Sequence, residues 1–212
     1  MSTPRRYLSE QRDAAARHTR LRILQAAEQE LLQHGYHAMT VASLARAAGV
    51  SPQTIYNSVG GKAAVVKALY DVRLAGDDEP VPMAQRPEFQ RILAQTDAAA
   101  TLRAYLAAGR MLYGRVGQLL GALLVDGPGA DSDLRSFVET IEHERRTGNT
   151  AVVGHIERRF GLPADLPASR AVDILWTVTS FEVADRLVRR CGWSLDAYEQ
   201  WTGDVVVASL TR

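Results

Sequence analysis

The stretch Thr40-Val-Ala-Ser-Leu-Ala-Arg-Ala-Ala-Gly-Val-Ser-Pro-Gln-Thr-Ile-Tyr56 constrains this chain more than any other. Thr40 supplies an N-cap hydroxyl ahead of Val41, Leu44, Ala45 and Ala48, so a short helix is predicted that Gly49 ends through a left-handed residue. Ser51-Pro52 restarts the chain as N-cap and first helical residue, opening a second short helix through Ile55 and Tyr56 to about Ser58. Each constrained position has a steric reason. Ala45 is small where the second helix crosses closely, Gly49 admits positive φ, and Leu44, Val50 and Ile55 fill the core between the helices. Two short helices joined by so tight a turn form a helix-turn-helix, whose second helix enters the DNA major groove with its first residues facing the base edges. Gln53, Thr54 and Asn57 are then the candidate base readers, because amides and hydroxyls match the donors and acceptors displayed there. A helical hairpin that only packs has no need of that polar face. A winged helix is disfavoured, since the next element is another helix rather than a strand pair.

Groups suited to phosphate surround this core. Thr40 stands at a helix N-terminus, where a hydroxyl and free backbone N–H groups can hold an anion, and Lys62 opens the following helix. Tyr56 adds a phenol from the recognition helix. Lysine occurs only at positions 62 and 67, and the other 23 basic residues are arginine. The net charge of +1 hides an asymmetry: residues 1–70 hold nine basic against four acidic side chains, the remainder sixteen against twenty. A positive N-terminal module followed by a mildly acidic body places the polyanion at one end only.

The rest of the chain reads as helices separated by turns. A first helix is predicted from about Arg12 to His34, with Leu21, Leu24, Ala27, Leu31 and Leu32 at helical spacing and Gly35 ending it. Lys62 to Leu74 forms a fourth helix after Gly60-Gly61. Gly76 to Pro87, with three prolines, is the linker candidate, so a DNA-binding domain over 1–75 and a second domain over 76–212 are expected. Beyond it helices are predicted near Glu88–Gln95, Ala98–Val125, Asp131–Phe160, Ala168–Arg190 and Ser194–Leu210. Asp126-Gly127-Pro128-Gly129, Gly161-Leu162-Pro163 and Cys191-Gly192-Trp193 punctuate them. No alternating strand pattern appears, so the fold class is all-α.

Several function classes are excluded on this reading. The longest charge-free apolar stretch, Val116–Val125, is far below the roughly 20 residues a spanning helix needs, so no membrane partner is expected. Met1–Arg22 is basic and lacks the apolar core of a secretory signal, and one cysteine, Cys191, fits a reducing cytoplasm. No nucleophile elbow, phosphate loop or two-cysteine metal spacing is present, so an enzyme, a cofactor and a structural metal are not expected.

On Gly35-Tyr36, Thr40-Val41, Leu44-Ala45, Gly49-Val50-Ser51, Ile55-Tyr56 and Lys62, the sequence resembles the TetR family of bacterial transcriptional regulators, with Val59 where the family usually has an aromatic. The resemblance implies phosphate-contacting roles for Thr40, Tyr56 and Lys62, a base-reading face at Gln53, Thr54 and Asn57, and Ser51 within the DNA-binding set. It implies a C-terminal helical domain that binds a small-molecule effector and forms a homodimer through its last two long helices, reading a near-palindromic double-stranded operator. It also implies repression, with release of the operator when effector binds. Tyr105, Met111, Tyr113, Phe137, Glu142 and Trp176 are the candidate effector-binding residues, as aromatic and polar side chains inside the middle helices. The other reading is a dimeric helical protein that binds small molecules or partners without DNA affinity.

Overall fold

Ile23, Leu24, Ala27 and Leu31 recur at helical spacing on α1 (Pro4–Ala38), and all four are buried. This is the stripe on which the N-terminal helices assemble. The computed structural model describes residues 4–124 and 131–211, with side chains from residue 11 onward, and shows no strand among them. Gly35 breaks the helical geometry of α1 at φ 78, ψ 168. The sequence predicts a left-handed helical residue here; ψ is instead extended, a region essentially open to glycine only, and the element continues to Ala38.

Three short helices follow: α2 (Val41–Ala48), α3 (Pro52–Ser58) and α4 (Lys62–Ala75). Leu44, Ala45, Ile55, Val65, Val66 and Leu69 join the α1 stripe in a continuous apolar interior. An ion pair between Arg73 and Glu28 ties α4 to α1 at the surface.

The second half contains α5 (Pro87–Leu93), α6 (Ala98–Leu124), α7 (Ser132–Arg159), α8 (Ala168–Val178), α9 (Phe181–Ala184) and α10 (Leu195–Leu210). Asp131 caps α7 by accepting the Leu134 backbone N–H at 2.9 Å. The Asp126-Gly127-Pro128-Gly129 turn lies outside the described residues. The described part of the chain forms two compact units, one from Met1–Leu74 with Gln118–Phe137, the other from Ala75–Gly117 with Val138–Arg212. A sequence boundary at residue 75 assigns Gln118–Phe137 differently. These residues group with the first unit because Leu119, Leu120, Leu123, Leu134 and Phe137 are buried, Phe137 edge-on to Tyr70 at 5.5 Å. In the second unit Leu102, Leu106, Val153, Ile156, Leu175 and Val206 form the core.

The helix predicted from Ala168 to Arg190 is interrupted. Thr179 closes α8, its N–H donating to the Leu175 carbonyl at 3.0 Å. Ser180 then recaps the chain by accepting the Val183 N–H at 3.2 Å. Asp185–Arg190 winds as a π-helical turn, closed by the Cys191 N–H donating to Arg186 at 2.9 Å.

The predicted linker is pinned. Arg86, only 7% exposed, forks onto Asp77 with Nη1 2.6 Å from Oδ2 and Nη2 2.9 Å from Oδ1. Gly76 has φ 85, and a Cβ there would meet the Arg115 guanidinium at 2.9 Å. The hydrogen bonds from Arg86, with the Glu79 backbone N–H, lower the Asp77 pKa from 3.8 to about 2. A depressed carboxylate stabilises the fold above its ordinary pKa and loses that contribution as pH falls through the folded value. The stability difference between wild type and Asp77→Asn is therefore expected to hold constant at neutral pH. It should shrink between about pH 4 and about pH 2, measured by denaturant unfolding across that range.

Candidate functional site

The helix-turn-helix is built almost wholly by local caps. Thr40 is extended at the N-cap of α2; its Oγ1 accepts the Ser43 N–H at 3.0 Å while Ser43 Oγ accepts the Thr40 N–H at 3.0 Å. This reciprocal capping box orients the Thr40 hydroxyl and leaves its proton available to donate. Gly49 ends α2 at φ 63, ψ 41, with its own N–H on the Arg46 carbonyl at 3.2 Å and the Val50 N–H on the Ala45 carbonyl at 3.0 Å. That pair of bonds is a Schellman motif, which fixes the angle at which the chain leaves α2. Ser51 caps α3 by accepting the Thr54 N–H at 3.1 Å, and its hydroxyl is 2.8 Å from the Thr54 hydroxyl. Thr54 is thereby half committed to the cap.

Ile55 is fully buried and its neighbours are not, so one face of α3 anchors the helix and the other is free. Tyr56 is 55% exposed, and Gln53 and Asn57 are exposed with Gln53 Nε2 donating to Asn57 Oδ1 at 2.9 Å. The pair retains the Gln53 oxygen and the Asn57 amide protons, one acceptor and one donor side by side, which is the pattern adenine presents in complement.

Lys62 opens α4 with Nζ 3.9 Å from the centroid of the buried Tyr36 ring. A cation at a helix N-terminus opposes the helix dipole, so this placement costs stability that the cation–π contact offsets in part. Burial lowers the Lys62 pKa and the Asp131 and Asp133 carboxylates counter it. The same burial, with those carboxylates, pushes Tyr36 up to about 12. Thr40 stands at the N-cap of α2, Tyr56 on the exposed side of α3 and Lys62 at the start of α4.

Two arginines contribute in a way the sequence reading missed. Arg22 donates to the Ala48 carbonyl and, at 3.4 Å, to that of Gly49, while Arg20 donates to the Ser58 carbonyl at 3.3 Å. Both clamp the C-terminal ends of α2 and α3 to α1, where carbonyls lack helical partners. In the sequence they read only as part of a basic flank.

The six effector candidates do not fall together. Phe137 is a core residue of the first unit against Tyr70. Tyr105, Met111 and Tyr113 lie on α6, Glu142 on α7 and Trp176 on α8. Arg145 unites two of them, pairing with Glu142 and donating to the Trp176 carbonyl at 3.0 Å. Tyr105 donates to Asn149 Oδ1 at 2.7 Å, and Tyr113 packs on Phe181 and Tyr198 with centroids 6.0 and 6.2 Å away. Gly117 makes room for the Tyr113 ring, whose atoms a Cβ would meet at 3.1 Å. Arg145, Asn149 and Tyr198 were missed. Glu142, Arg145 and Asn149 share one face of a helix by their spacing, a pattern that could have exposed them. A separate groove of about 320 Å³ lies between α6 and α10, lined by Arg103, Leu106, Asp196, Glu199, Gln200 and Gly203; none is an expected effector residue. On the two helices expected to pair in a homodimer, Leu175 and Leu210 are core, while Trp201 is 37% exposed and stands edge-on to Trp193. Among the described residues no helix is long and apolar enough to cross a membrane.

Residues 23–69 match the family model described as bacterial regulatory proteins, tetR family. No curated protein matches the chain in sequence. Among solved structures, native NalD of Pseudomonas aeruginosa, the secondary repressor of the MexAB-OprM multidrug efflux pump, superposes with TM-score 0.72 at 19% identity, over 93% of this chain and 98% of that one. The transcriptional regulator FadR of Bacillus subtilis, in complex with stearoyl-CoA, gives TM-score 0.69 at 16% identity over 90% and 99%. The fatty acid degradation regulator FadR of Bacillus halodurans gives 0.68 at 16% over 89% and 94%.

Proposed function

We propose that this chain, whose residues 23–69 match the family model of tetR-type bacterial regulators and whose all-α fold superposes on solved regulators, is a ligand-responsive transcriptional repressor. It binds a near-palindromic operator as a homodimer through α3, and a small-molecule effector in the second unit releases it. The observation that carries this reading is the division of α3: Ile55 is wholly buried while Gln53, Tyr56 and Asn57 face outward. A helix held by one residue and polar elsewhere suits a groove. Repression and effector release draw support from solved relatives, one described as a repressor and another bound to an acyl-CoA. Dimerisation draws support from Trp201, an exposed aromatic on α10. Release follows if the effector prefers a state whose two α3 helices are mis-spaced for successive major grooves.

The test is fluorescence anisotropy on a labelled 30-base-pair duplex of arbitrary sequence, across a range of salt. Affinity should fall steeply with salt, and Lys62→Met should lower the slope by about 0.9 while leaving the fold intact. Salt-insensitive binding, untouched by that substitution, overturns the proposal.

A further inference from the structure

The helix-turn-helix is poor in the charge that holds a protein on DNA. From Thr40 to Gly61 the one charged side chain is Arg46, and α3 has none. Six of the nine basic side chains in residues 1–70 instead precede Ile23: Arg5, Arg6, Arg12, Arg17, Arg20 and Arg22. Affinity for a duplex comes largely from cations set on phosphates, so α3 depends on positive charge supplied from outside its own helix. Arg20 and Arg22 are engaged by the carbonyls that end α3 and α2. Arg5, Arg6 and Arg12 lie ahead of that clamp.

The part of α1 that carries Arg12 has no covered face. Residues 11–18 are exposed at every position, two full turns of helix. A stretch that is polar or small on all sides gains nothing from burial in its own unit, and a surface that covers it must match its charge. The first buried side chain on α1 is Ile23. Arg12 stands eleven residues ahead of it, three turns and about 16 Å along the axis. Three turns return the helix to the same side, so Arg12 is in line with Ile23, on the side of α1 turned toward the core shared with α2 and α3. Arg20, donating to the Ser58 carbonyl at 3.3 Å, marks where α1 passes the end of α3. Arg5 and Arg6 lie about two turns beyond Arg12 on the same helix. Phosphates recur about every 3.4 Å along a strand, so an overhang of this length spans several of them.

We propose that the exposed start of α1 is a second DNA-contacting element, which lies on the phosphates flanking the bases beneath α3 and adds sequence-independent affinity through Arg5, Arg6 and Arg12. Two observations choose a duplex over any other anion: the overhang is cationic, and it is continuous with the helix that clamps the end of α3. The inference rests on the DNA-binding reading given above.

Fluorescence anisotropy of the full chain on the 30-base-pair duplex, across a range of salt, tests it. Arg12→Gln should lower the slope of log affinity against log salt by about 0.9, and the Arg5→Gln, Arg6→Gln, Arg12→Gln triple variant by up to about 2.7. Arg12→Lys keeps the charge and should keep the slope. Arg170→Gln removes the same charge from the exposed start of α8 in the second unit and should leave the slope unchanged. The melting temperature should not move with any of them, since no packed side chain is lost and glutamine supports a helix nearly as well as arginine. The duplex motif selected from a random library should also be unaltered, because phosphate contacts carry no base information. A wild-type slope in the triple variant, or an equal loss in Arg170→Gln, overturns the inference. So does a loss of binding to phosphatidylglycerol vesicles with duplex binding intact. If Lys62→Met still lowers the slope while the triple variant does not, this inference alone fails. Wild-type protein with no salt-dependent duplex binding defeats the regulatory reading and this inference with it.

Discussion

Gly60→Ala should destabilise the N-terminal unit by about 2 kcal/mol or more, the largest effect of a methyl added at any of the described glycines. Gly60 has φ 121, and a Cβ there would meet Ala64 Cβ at 2.8 Å. That conformation is far from the left-handed region alanine can tolerate, and the opposing atom is a Cβ on a helix, which cannot swing away. The residue is also fixed by its N–H, which donates to the Ile55 carbonyl at 3.1 Å. Its neighbours supply internal controls. Gly49→Ala, at φ 63 and ψ 41, enters the left-handed helical region, and its Cβ would meet at 3.1 Å the Arg22 Nη2 that holds the Ala48 and Gly49 carbonyls. A cost of about 1 kcal/mol is expected there. Gly61→Ala finds the Tyr56 ring at 3.8 Å, an ordinary contact, and should be near neutral. Denaturant melts of the three variants, read by far-ultraviolet circular dichroism, give the order. Equal effects at positions 60 and 61 would contradict the turn geometry.

Ile55→Ala and Tyr56→Ala, adjacent on α3, should have opposite consequences. Ile55 is 0% exposed, so its truncation leaves a cavity where α3 meets α1 and α2, at a cost of about 2–5 kcal/mol. Much of a small domain's stability is of that size, so amide exchange should accelerate throughout α2 and α3, and DNA binding should fail with the fold. Tyr56 is 55% exposed, and its removal should leave the melt unchanged while weakening binding to every duplex alike. A Tyr56→Ala variant that unfolds, or an Ile55→Ala variant that keeps both stability and DNA affinity, would refute the assignment of faces on α3.

How far the sequence announces this structure varies with the range of the interactions concerned. Thr40, Gly49 and Ser51 act on backbone groups within three to five residues, so the caps of α2 and α3 could be placed from residue type alone. The break at Thr179-Ser180 has equally local causes. It is masked because Ile174, Val178 and Phe181 keep an apolar helical rhythm across it. Arg20 and Arg22 clamp carbonyls 38 and 26 residues away, and no local pattern encodes such partners. The grouping of Gln118–Phe137 with the first unit is of the same kind, since apolar periodicity says that Leu123 and Leu134 are buried and not against what. In the effector region, residue type suggested Tyr105, Tyr113, Glu142 and Trp176. The arginine and asparagine that organise them share the Glu142 face of α7 by their spacing, but their partners on α6 and α8 follow only from how the helices pack.

The claim beneath all of this is that two copies of α3 read DNA bases with Gln53 and Asn57. Selection of duplexes from a randomised library by wild type, Gln53→Ala and Asn57→Ala tests it most directly. The account predicts a twofold-symmetric motif for wild type, with half-sites about one helical turn apart, and relaxed preference at matching positions in both halves for each variant. A motif without symmetry, or one that both variants enrich unchanged, would contradict it.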